Sequence, residues 1–173
     1  GLKGKTFFYN ACNCGGYSFW AKDLGAEETF GFDVRDHWIE QAEFIRQHRE
    51  GDNSGMKFQK ADLYDIPGMD LPSFDMTWFS GIFYHLPDPI TGLKIAADRT
   101  REVLYLNTAI LTQEDEESGS GQLHLNFEGT KHLMSGVHQL NWYPSGPKVL
   151  IGILNWLGFP EVRIRLCSSA ASR

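Results

Sequence analysis

Residues 6–18 have the sequence TFFYNACNCGGYS, an apolar and aromatic run that ends in a glycine pair and leads into an amphipathic stretch. An apolar run closed by glycines predicts a buried strand that turns sharply into a helix. The backbone N–H groups of such a turn can bind a ligand. Asp33 ends the next apolar run about 20 residues further on, a spacing typical of dinucleotide and nucleoside folds. The stretch therefore predicts a small-molecule cofactor site.

Length and cysteine content define the broad class. A chain of 173 residues predicts one domain, residues 1–173, with a core of its own. The three cysteines, Cys12, Cys14 and Cys167, have no paired spacing, which indicates a reducing compartment and a cytoplasmic protein. We find no apolar run of membrane-spanning length and no stretch that resembles a signal peptide, so we expect no membrane partner.

The formal net charge of −6 is unevenly distributed. Residues 1–118 contain 11 Lys and Arg against 20 Asp and Glu, a net −9, whereas residues 119–173 contain 5 against 2, a net +3. A nucleic-acid partner usually requires a basic face. The charge therefore favours a small-molecule partner, and RNA binding is possible only through the C-terminal third.

Apolar runs alternate with amphipathic segments along most of the chain. The predicted strands lie at 6–12, 28–34, 56–66, 73–86, 101–111 and 161–167. This alternation predicts an α/β fold with a doubly wound, mostly parallel Rossmann-like sheet of about six or seven strands in a three-layer sandwich. The strand at 101–111 is nearly all apolar, so we expect it to be covered on both faces. The less regular stretch 112–146 predicts a lid-like insertion, in which QEDEE is a solvated loop.

Helix starts and strand ends carry further signals. We expect Asp36 to cap the second helix, Asp88 and Pro89 to start the third, and Ser145 and Pro147 to open the last. Gly15, Asp33, Asp62 and Ser80 all fall at predicted carboxyl ends of strands. Ligands of parallel α/β sheets bind beyond those ends, where the strand order reverses, so four separate turns converge on one predicted site.

The same motifs, taken in order, resemble the class I S-adenosylmethionine-dependent methyltransferases over essentially the whole chain. They are CNCGGYS at 12–18, GFDV at 31–34, KADLYDI at 60–66 and FDMTWFSGIFYHLPDP at 74–89. Within that superfamily, SGIFYHLPDP and the late WYPS, followed by a helix and GFPEVRI, are similar to the group of the tRNA wobble-uridine carboxymethyltransferases. NCGG does not fit the G-x-G-x-x-G of dinucleotide-dependent reductases.

The resemblance implies S-adenosyl-L-methionine as the cofactor, S-adenosyl-L-homocysteine as its product and no metal. Asn13 and Gly15 would lie close to the methionine portion of the cofactor. Asp33 would accept hydrogen bonds from the two ribose hydroxyls. Asp62 would accept one from the adenine amino group, with the Leu63 N–H near a ring nitrogen.

The resemblance also implies the acceptor side of the site. Ser80 and Gly81 would run beneath the sulfonium, and Tyr84 and His85 would face the acceptor as the catalytic pair. Imidazole changes charge near neutral pH, which makes His85 the candidate base. His85 could instead hydrogen-bond its own loop, because methyl transfer often needs no base.

The remaining candidates have ordinary structural alternatives. Trp142 and Tyr143 could form an aromatic wall for a planar substrate or could simply pack within the insertion. Cys12 is expected to be a small buried hydrophobe rather than a nucleophile. His124, His132 and His138 match no common zinc-ligand spacing, so we read them as loop histidines. Asp62 could cap the loop that follows it, and Asp33 could cap the second helix.

The chain departs from the family pattern at the end of the first strand. Where the family has D-x-G-C-N, this chain has Tyr9, Asn10 and Ala11 before Cys12 and Asn13. The missing acid helps to hold the methionine amino group, and Asn10 could partly replace it. Helices before the first strand and an antiparallel seventh strand are not recognisable, which would suit a truncated chain or a minimal relative.

These observations predict a methyltransferase that acts by in-line displacement on a small-molecule acceptor, with RNA as the second candidate acceptor. Two alternatives stay open. One is a non-catalytic methyltransferase-like fold that binds a nucleoside or a protein partner, for which the missing acid argues. The other is a tRNA-modifying alkyltransferase. A carboxylated cofactor would require a nearby cation, and SGIFYHL contains neither Lys nor Arg, which argues against carboxymethyl transfer.

Overall fold

A computed structural model describes residues 1–111, 121–128 and 135–165. These residues form two compact units. The first, here called the sheet unit, comprises Gly1–Ser80 and Gly92–Leu106. The second, the hairpin unit, comprises Gly81–Thr91 and the described residues from Asn107 onward. The acidic run QEDEE and Cys167 lie outside the described residues, and a single domain with an insertion at 112–146 stays a prediction.

Seven strands and four α-helices follow one another along the described chain. In order they are β1 (Thr6–Asn10), α1 (Gly16–Asp23), β2 (Glu28–Asp33), α2 (Asp36–His48), β3 (Met56–Lys60), β4 (Phe74–Ser80), α3 (Pro89–Asp98), β5 (Thr100–Asn107), β6 (Leu123–Phe127), β7 (Leu140–Pro144) and α4 (Pro147–Trp156). Two short 3-10 helices span Leu63–Gly68 and Phe83–His85. The first of them stands where the proline-rich sequence excludes a full crossover helix.

The strands of the sheet unit are arranged in the order β3-β2-β1-β4-β5. Strand β1 pairs in parallel with β2 on one side and β4 on the other, and β2 pairs in parallel with β3. The chain therefore moves outward from β1 in one direction and then in the other, which creates a topological switch point between β1 and β4. The predicted mostly parallel, Rossmann-like sheet is confirmed, and it has five strands within the described residues, where six or seven were predicted.

Aromatic residues fill both faces of the sheet around β1. On one face the Phe8 ring stacks on Phe74 at a centroid distance of 4.9 Å and contacts Phe32 at 5.6 Å. On the other face Phe7 and Tyr9 join a core that includes Ala21 of α1. Since a central parallel strand is covered on both sides, its sequence is apolar without alternation.

Two strand predictions differ from the structure. Strand β5 has no buried residue, and Arg101, Glu102 and Val103 are exposed, because β5 lies at the edge of the described sheet. Residues 161–165 form no strand, and the rest of that predicted strand lies outside the described residues.

The hairpin unit contains a strand pair that sequence reasoning missed. Strands β6 and β7 pair antiparallel, with Leu125 opposite Trp142 and His124 opposite Tyr143. The alternation of apolar and polar residues in LHLNF is a signal that could have identified β6.

The helix starts were predicted with mixed success. Asp88 is confirmed as a cap, because its Oδ1 accepts a hydrogen bond from the Thr91 N–H at 3.1 Å. The prediction for Asp36 was wrong: it is the first residue of α2, and its carboxylate pairs with Lys60 instead. Ser145 is also not the N-cap of α4, a position that Gly146 occupies without a side-chain bond, but Pro147 is confirmed at the start of the helix. Within the described ranges, no helix is long and apolar enough to cross a membrane.

Acid is expected to weaken the sheet unit through Asp75, at the start of β4. Its carboxylate accepts hydrogen bonds from Arg101 Nε at 2.9 Å and from the Thr6 N–H at 2.8 Å, and these contacts lower the pKa of Asp75 from 3.8 to about 2. Because the native pKa lies below the unfolded one, this stabilisation is complete above about pH 4 and is lost as the pH falls through about 2.

We therefore expect the free energy of unfolding of Asp75→Asn to fall less steeply than that of the wild type as the pH is lowered across this range, measured by urea titration. Asp98→Asn, which removes an exposed carboxylate on α3, is the matched control. Parallel pH profiles for the wild type and Asp75→Asn would contradict this assignment.

Candidate cofactor and acceptor sites

The loop between β1 and α1 is shaped by three residues with left-handed backbone conformations. Ala11, Asn13 and Gly15 have φ values of 51°, 52° and 85°. The Cys12 N–H donates to the Phe32 carbonyl of β2 at 2.8 Å, which ties the loop to the neighbouring strand. The Asn13 side-chain oxygen accepts the Cys14 N–H at 2.8 Å, and Asn is one of the few non-glycine residues that tolerate this conformation.

Gly15 occupies a position that admits no side chain. A Cβ placed on it would lie 2.6 Å from Cζ of Phe58, too close for any real contact. Gly15 also precedes the first residue of α1 as its N-cap, and its φ of 85° is easily adopted only by glycine. The glycine thus allows the backbone to pass close to β3 and to begin a helix at once.

Asp33, at the end of β2, links the two neighbouring strand ends. Its carboxylate is buried, with Oδ2 accepting the Asn13 N–H at 3.0 Å and Oδ1 accepting the Arg35 N–H at 3.1 Å. A carboxylate has about four acceptor directions. Two remain for further donors, so the contacts that hold Asp33 in place leave it able to bind a pair of hydroxyls.

Asp62 follows β3 and caps the first 3-10 helix, as its structural alternative predicted. Its Oδ1 accepts the Tyr64 N–H at 3.0 Å, and the Leu63 side chain is buried. This capping bond fixes the backbone at Leu63, so Asp62 combines a local structural role with the position predicted for adenine binding.

The end of β1 has a buried amide directly after the position where the family pattern has an acid. Asn10 is fully buried, and its Nδ2 lies 3.5 Å from the Trp78 carbonyl. In the described part of the chain its Oδ1 has no hydrogen-bond partner. Tyr9, at the position of the family's acid itself, is buried, and burial raises the pKa of its phenol. A buried amide oxygen without a partner suits a donor such as an ammonium group, so the residues present fit a cofactor with an amino group.

Ala11 stands where the family pattern has glycine, and its φ of 51° makes the position testable. A left-handed conformation costs a non-glycine residue about 1–2 kcal/mol, whereas glycine loses about 0.5–1 kcal/mol more backbone entropy on folding. We expect Ala11→Gly to stabilise the chain by about 0.5 kcal/mol, measured by urea unfolding.

The same substitution in a helix is the control for Ala11→Gly. Ala42→Gly, inside α2, is expected to destabilise the chain by about 1 kcal/mol. Equal destabilisation by both changes would contradict the left-handed conformation of Ala11.

After β4 the chain turns at Ser80 and Gly81. Ser80 is the last residue of the strand, and Gly81 has a φ of 71° and donates its N–H to the Asn107 carbonyl at 3.0 Å. Tyr84 and His85 follow in the second 3-10 helix, with ring centroids 4.3 Å apart.

Glu128 joins His85 in the hairpin unit, although sequence reasoning did not single it out. Its Oε1 lies 3.3 Å from His85 Nδ1, and both side chains are largely buried. Burial raises the pKa of the Tyr84 phenol, and nearby Tyr143 and Glu128 raise it further. The available signal was that Glu128 is one of only two acidic residues in the last 55 positions, 119–173.

Trp142 and Tyr143 do not share a surface of the hairpin. They are consecutive residues of a regularly paired strand, so their side chains point to opposite faces. Strand β7 contacts the second 3-10 helix, and Tyr143 is one of the groups that raise the pKa of the Tyr84 phenol.

The other singled-out side chains lack the features of a catalytic or metal site. Cys12 is buried, and burial raises the pKa of its thiol, as expected of a packing residue. Within residues 1–111, 121–128 and 135–165, no group of three or more His, Cys, Asp or Glu side chains could hold a metal ion. His132 lies outside these ranges.

A parallel sheet with this strand order, a glycine-containing loop after β1 and carboxylates after β2 and β3 defines the Rossmann-like fold of class I methyltransferases. A family model described as a methyltransferase domain matches residues 10–101, more than half of the chain. The chain belongs to this methyltransferase domain family.

Curated relatives carry the name tRNA U34 carboxymethyltransferase. The protein of Campylobacter hominis is 27% identical over 117 residues, which cover 66% of this chain and 40% of that protein. The protein of Nautilia profundicola is 32% identical over 93 residues, covering 54% of this chain and 30% of that protein. The matched regions thus span less than half the length of these relatives.

Solved structures share the fold at low sequence identity. The N-terminal domain of EvdMO1 with SAH bound has a TM-score of 0.77 at 20% identity, covering 96% of this chain and 70% of that one. A putative S-adenosylmethionine-dependent methyltransferase from Listeria monocytogenes has a TM-score of 0.67 at 12% identity, covering 99% and 84%.

Proposed function

We propose that this chain binds S-adenosyl-L-methionine and transfers its methyl group to a small-molecule acceptor. The observation that carries the proposal is the buried Asp33 carboxylate, which holds the β1 loop through the Asn13 N–H and retains acceptor capacity. Fold relatives such as the EvdMO1 domain have been crystallised with SAH, which supports the same cofactor here.

Different residues of the sheet unit would bind the different parts of the cofactor. Asp33 would accept the two ribose hydroxyls, and Asp62 and the Leu63 N–H would recognise adenine. Asn13 and Gly15 would flank the methionine portion, as part of the left-handed loop. The buried Oδ1 of Asn10 would accept a bond from the methionine ammonium, as a partial replacement for the acid that the family has at the preceding position, Tyr9.

The acceptor side involves the turn after β4. Ser80 and Gly81 would lie beneath the sulfonium, and Tyr84, His85 and Tyr143 would bind and orient the acceptor, with Trp142 on the opposite face of the hairpin. The cofactor, when bound, supplies an activated methyl group together with its leaving group. The protein's contribution is therefore alignment of the acceptor and exclusion of water.

RNA is the second candidate acceptor, because the curated relatives are named as tRNA-modifying enzymes. The net charge of −6 argues against it, since RNA binding usually requires a basic surface. Carboxymethyl transfer is disfavoured in addition by the lack of a cation in SGIFYHL. A cytoplasmic location is part of this proposal and agrees with the free thiols of Cys12 and Cys14.

Calorimetric titration of the chain with S-adenosylmethionine and with S-adenosylhomocysteine tests the proposal. We expect micromolar binding of both ligands, with Asp75→Asn as a control that changes a carboxylate at the start of β4. Tritiated methyl donor, offered with bulk tRNA and with a pool of small metabolites, then distinguishes the two acceptor classes. No heat and no thermal shift with either ligand would overturn the enzyme proposal. The remaining alternative would then be a non-catalytic methyltransferase-like fold that binds a different partner.

A further inference from the structure

We propose that Glu128 is a positioning residue that holds the His85 imidazole with its Nδ1–H toward the carboxylate, so that Nε2 takes a proton from a protic acceptor during methyl transfer. The inference rests on the proposed function and adds to it a class of acceptor. That class is a hydroxyl or another group that must lose a proton as it is methylated.

The first support is the contact between the two side chains. Glu128 Oε1 lies 3.3 Å from His85 Nδ1, and only 12% of the Glu128 side chain and 18% of the His85 side chain are exposed. Glu128 Oε2 and His85 Nδ1 are both among the buried atoms that make no hydrogen bond within the residues the structure describes, so the contact at Oε1 is an ion pair by distance. A buried carboxylate requires a donor close by, and the imidazole N–H is such a donor.

The second support is that the backbone of the hairpin unit places both partners. The Glu128 N–H donates to the Gln139 carbonyl at 3.0 Å, immediately after β6. The Gln139 N–H donates in turn to the Gly136 carbonyl at 3.1 Å. A Cβ on Gly136 would lie 2.7 Å from both Cβ and Nδ1 of His85. Glu128 therefore supplies the carboxylate, and Gly136 supplies the space that the imidazole occupies.

The third support is the neighbouring phenol. Burial raises the pKa of Tyr84, and Tyr143 and Glu128 raise it further, which favours the protonated phenol. Of the two candidate catalytic residues, His85 is then the one that can accept a proton. Imidazole accepts at one nitrogen when the other carries the hydrogen, and the contact with Glu128 selects Nδ1 to carry it.

The chemical step would balance with these groups and with S-adenosylmethionine, the donor of the proposed function. The acceptor oxygen would bond to the methyl carbon as the bond between that carbon and the sulfur breaks, and the electron pair of the broken bond would stay on sulfur. The proton of the acceptor hydroxyl passes to Nε2 of His85, and the resulting imidazolium is stabilised by Glu128. A thiolate or a neutral amine would need no such base before attack.

Nitrogen NMR of the full chain, labelled with ¹⁵N-histidine, tests the arrangement without a known acceptor. Signals of His85 are assigned by their loss in His85→Gln. At a pH where the imidazole is neutral, we expect the Nδ1–H form to exceed the Nε2–H form by about tenfold or more, as one hydrogen bond to a charged group predicts. A predominant Nε2–H form would overturn the proposal, because that nitrogen could not then accept a proton.

Variants of Glu128 and Gly136 test whether Glu128 positions the His85 imidazole or only stabilises the fold. Glu128→Ala is expected to abolish the preference for Nδ1–H, and Glu128→Gln to retain it, because the amide oxygen also accepts. Gly136→Ala is expected to disturb the His85 signals. Its matched control is Gly152→Ala in α4, where a Cβ would have nothing within 4 Å. An unchanged tautomer in Glu128→Ala would contradict the positioning role, and the wild-type spectrum decides the question if this variant does not fold.

Cofactor binding distinguishes this inference from the proposed function. The Kd for S-adenosylmethionine is expected to change by less than about twofold in Glu128→Gln, because this conservative change leaves every residue assigned to the cofactor in place. A wild-type chain that binds no cofactor yet has the Nδ1–H form would sink the methyltransferase proposal alone. Cofactor binding with the Nε2–H form would sink the Glu128 inference alone.

Discussion

Replacing Asp33 by alanine is expected to weaken binding of S-adenosylmethionine by at least about 100-fold. In the proposed complex each carboxylate oxygen accepts a ribose hydroxyl, and hydrogen bonds to a charged group contribute about 1.5–3 kcal/mol each. The loss of two such bonds corresponds to about 3 kcal/mol or more, which is over a hundredfold in Kd. Calorimetry with S-adenosylhomocysteine should show the same loss, because both ligands contain the ribose.

Asp33→Ala is also expected to destabilise the fold, so lost stability must be separated from lost cofactor binding. Asp33 holds the Asn13 and Arg35 N–H groups, so Asp33→Ala should lower the free energy of unfolding by about 2 kcal/mol. Binding is therefore measured well below the melting temperature, with circular dichroism to confirm the fold. Asp33→Asn, which keeps one side-chain oxygen, should bind with intermediate affinity.

Asp75→Asn is the matched control for Asp33. It changes another carboxylate that accepts backbone and side-chain donors in the same sheet, but Asp75 lies near the start of β4 and contacts the first residue of β1. We expect its Kd for the cofactor to equal that of the wild type. Wild-type affinity in a folded Asp33→Ala variant would exclude Asp33 from the cofactor site.

Replacing Arg99 by alanine is expected to lower the free energy of unfolding by about 3 kcal/mol. The guanidinium donates to the Leu71 carbonyl and, through its other terminal nitrogen, to the carbonyls of Ile66 at 3.2 Å and Met69 at 3.4 Å. These acceptors lie at and just after the end of the first 3-10 helix, so one side chain satisfies several carbonyl groups. Each charge-assisted bond contributes about 1.5–3 kcal/mol when good, and the longer ones less.

Arg99→Lys is expected to recover only part of this loss, since an ammonium group cannot present the planar fork that bridges separate carbonyls. Arg46→Ala, which removes an arginine from a surface pair with Glu43 on α2, is the matched control and should cost about 0.5 kcal/mol. Urea unfolding measures all three variants. If Arg99→Ala lowered the free energy of unfolding as little as Arg46→Ala does, Arg99 would not stabilise the end of the first 3-10 helix.

Arg99 should also influence the cofactor indirectly. The 3-10 helix that it anchors begins at Leu63, directly after Asp62, where adenine recognition is proposed. We therefore expect Arg99→Ala to weaken cofactor binding by about tenfold, a loss that corresponds to about 1.4 kcal/mol, although the arginine contacts none of the proposed ligand-binding groups.

The parts of the fold that were predicted correctly have local causes. The glycine-terminated run at 6–18 specifies β1, its loop and α1, and the spacing to Asp33 locates the end of β2. Asp88 and Pro89 were sufficient to start α3, because an N-cap acts within one turn. Asp36 was misassigned by one position, which is enough to convert a cap into the first helical residue.

The errors concern features that depend on neighbours in space. Nearly all residues of β5 were expected to be covered, yet exposure depends on which strand lies beside it, and β5 is at the edge of the described sheet. The hairpin of β6 and β7, which was not predicted, lies in the part of the sequence where apolar and polar residues recur least regularly. Its pairing is decided by contacts between residues distant in sequence.

The sequence by itself determined the class of fold and the order of the candidate cofactor residues, because glycines, strand periodicity and strand-end carboxylates act over short distances along the chain. Only the tertiary structure showed that Asn10 is buried with an oxygen that lacks a partner in the described chain, and that Glu128 lies against His85. Burial and long-range contact are properties of the packed chain, since they depend on residues that the sequence keeps far apart.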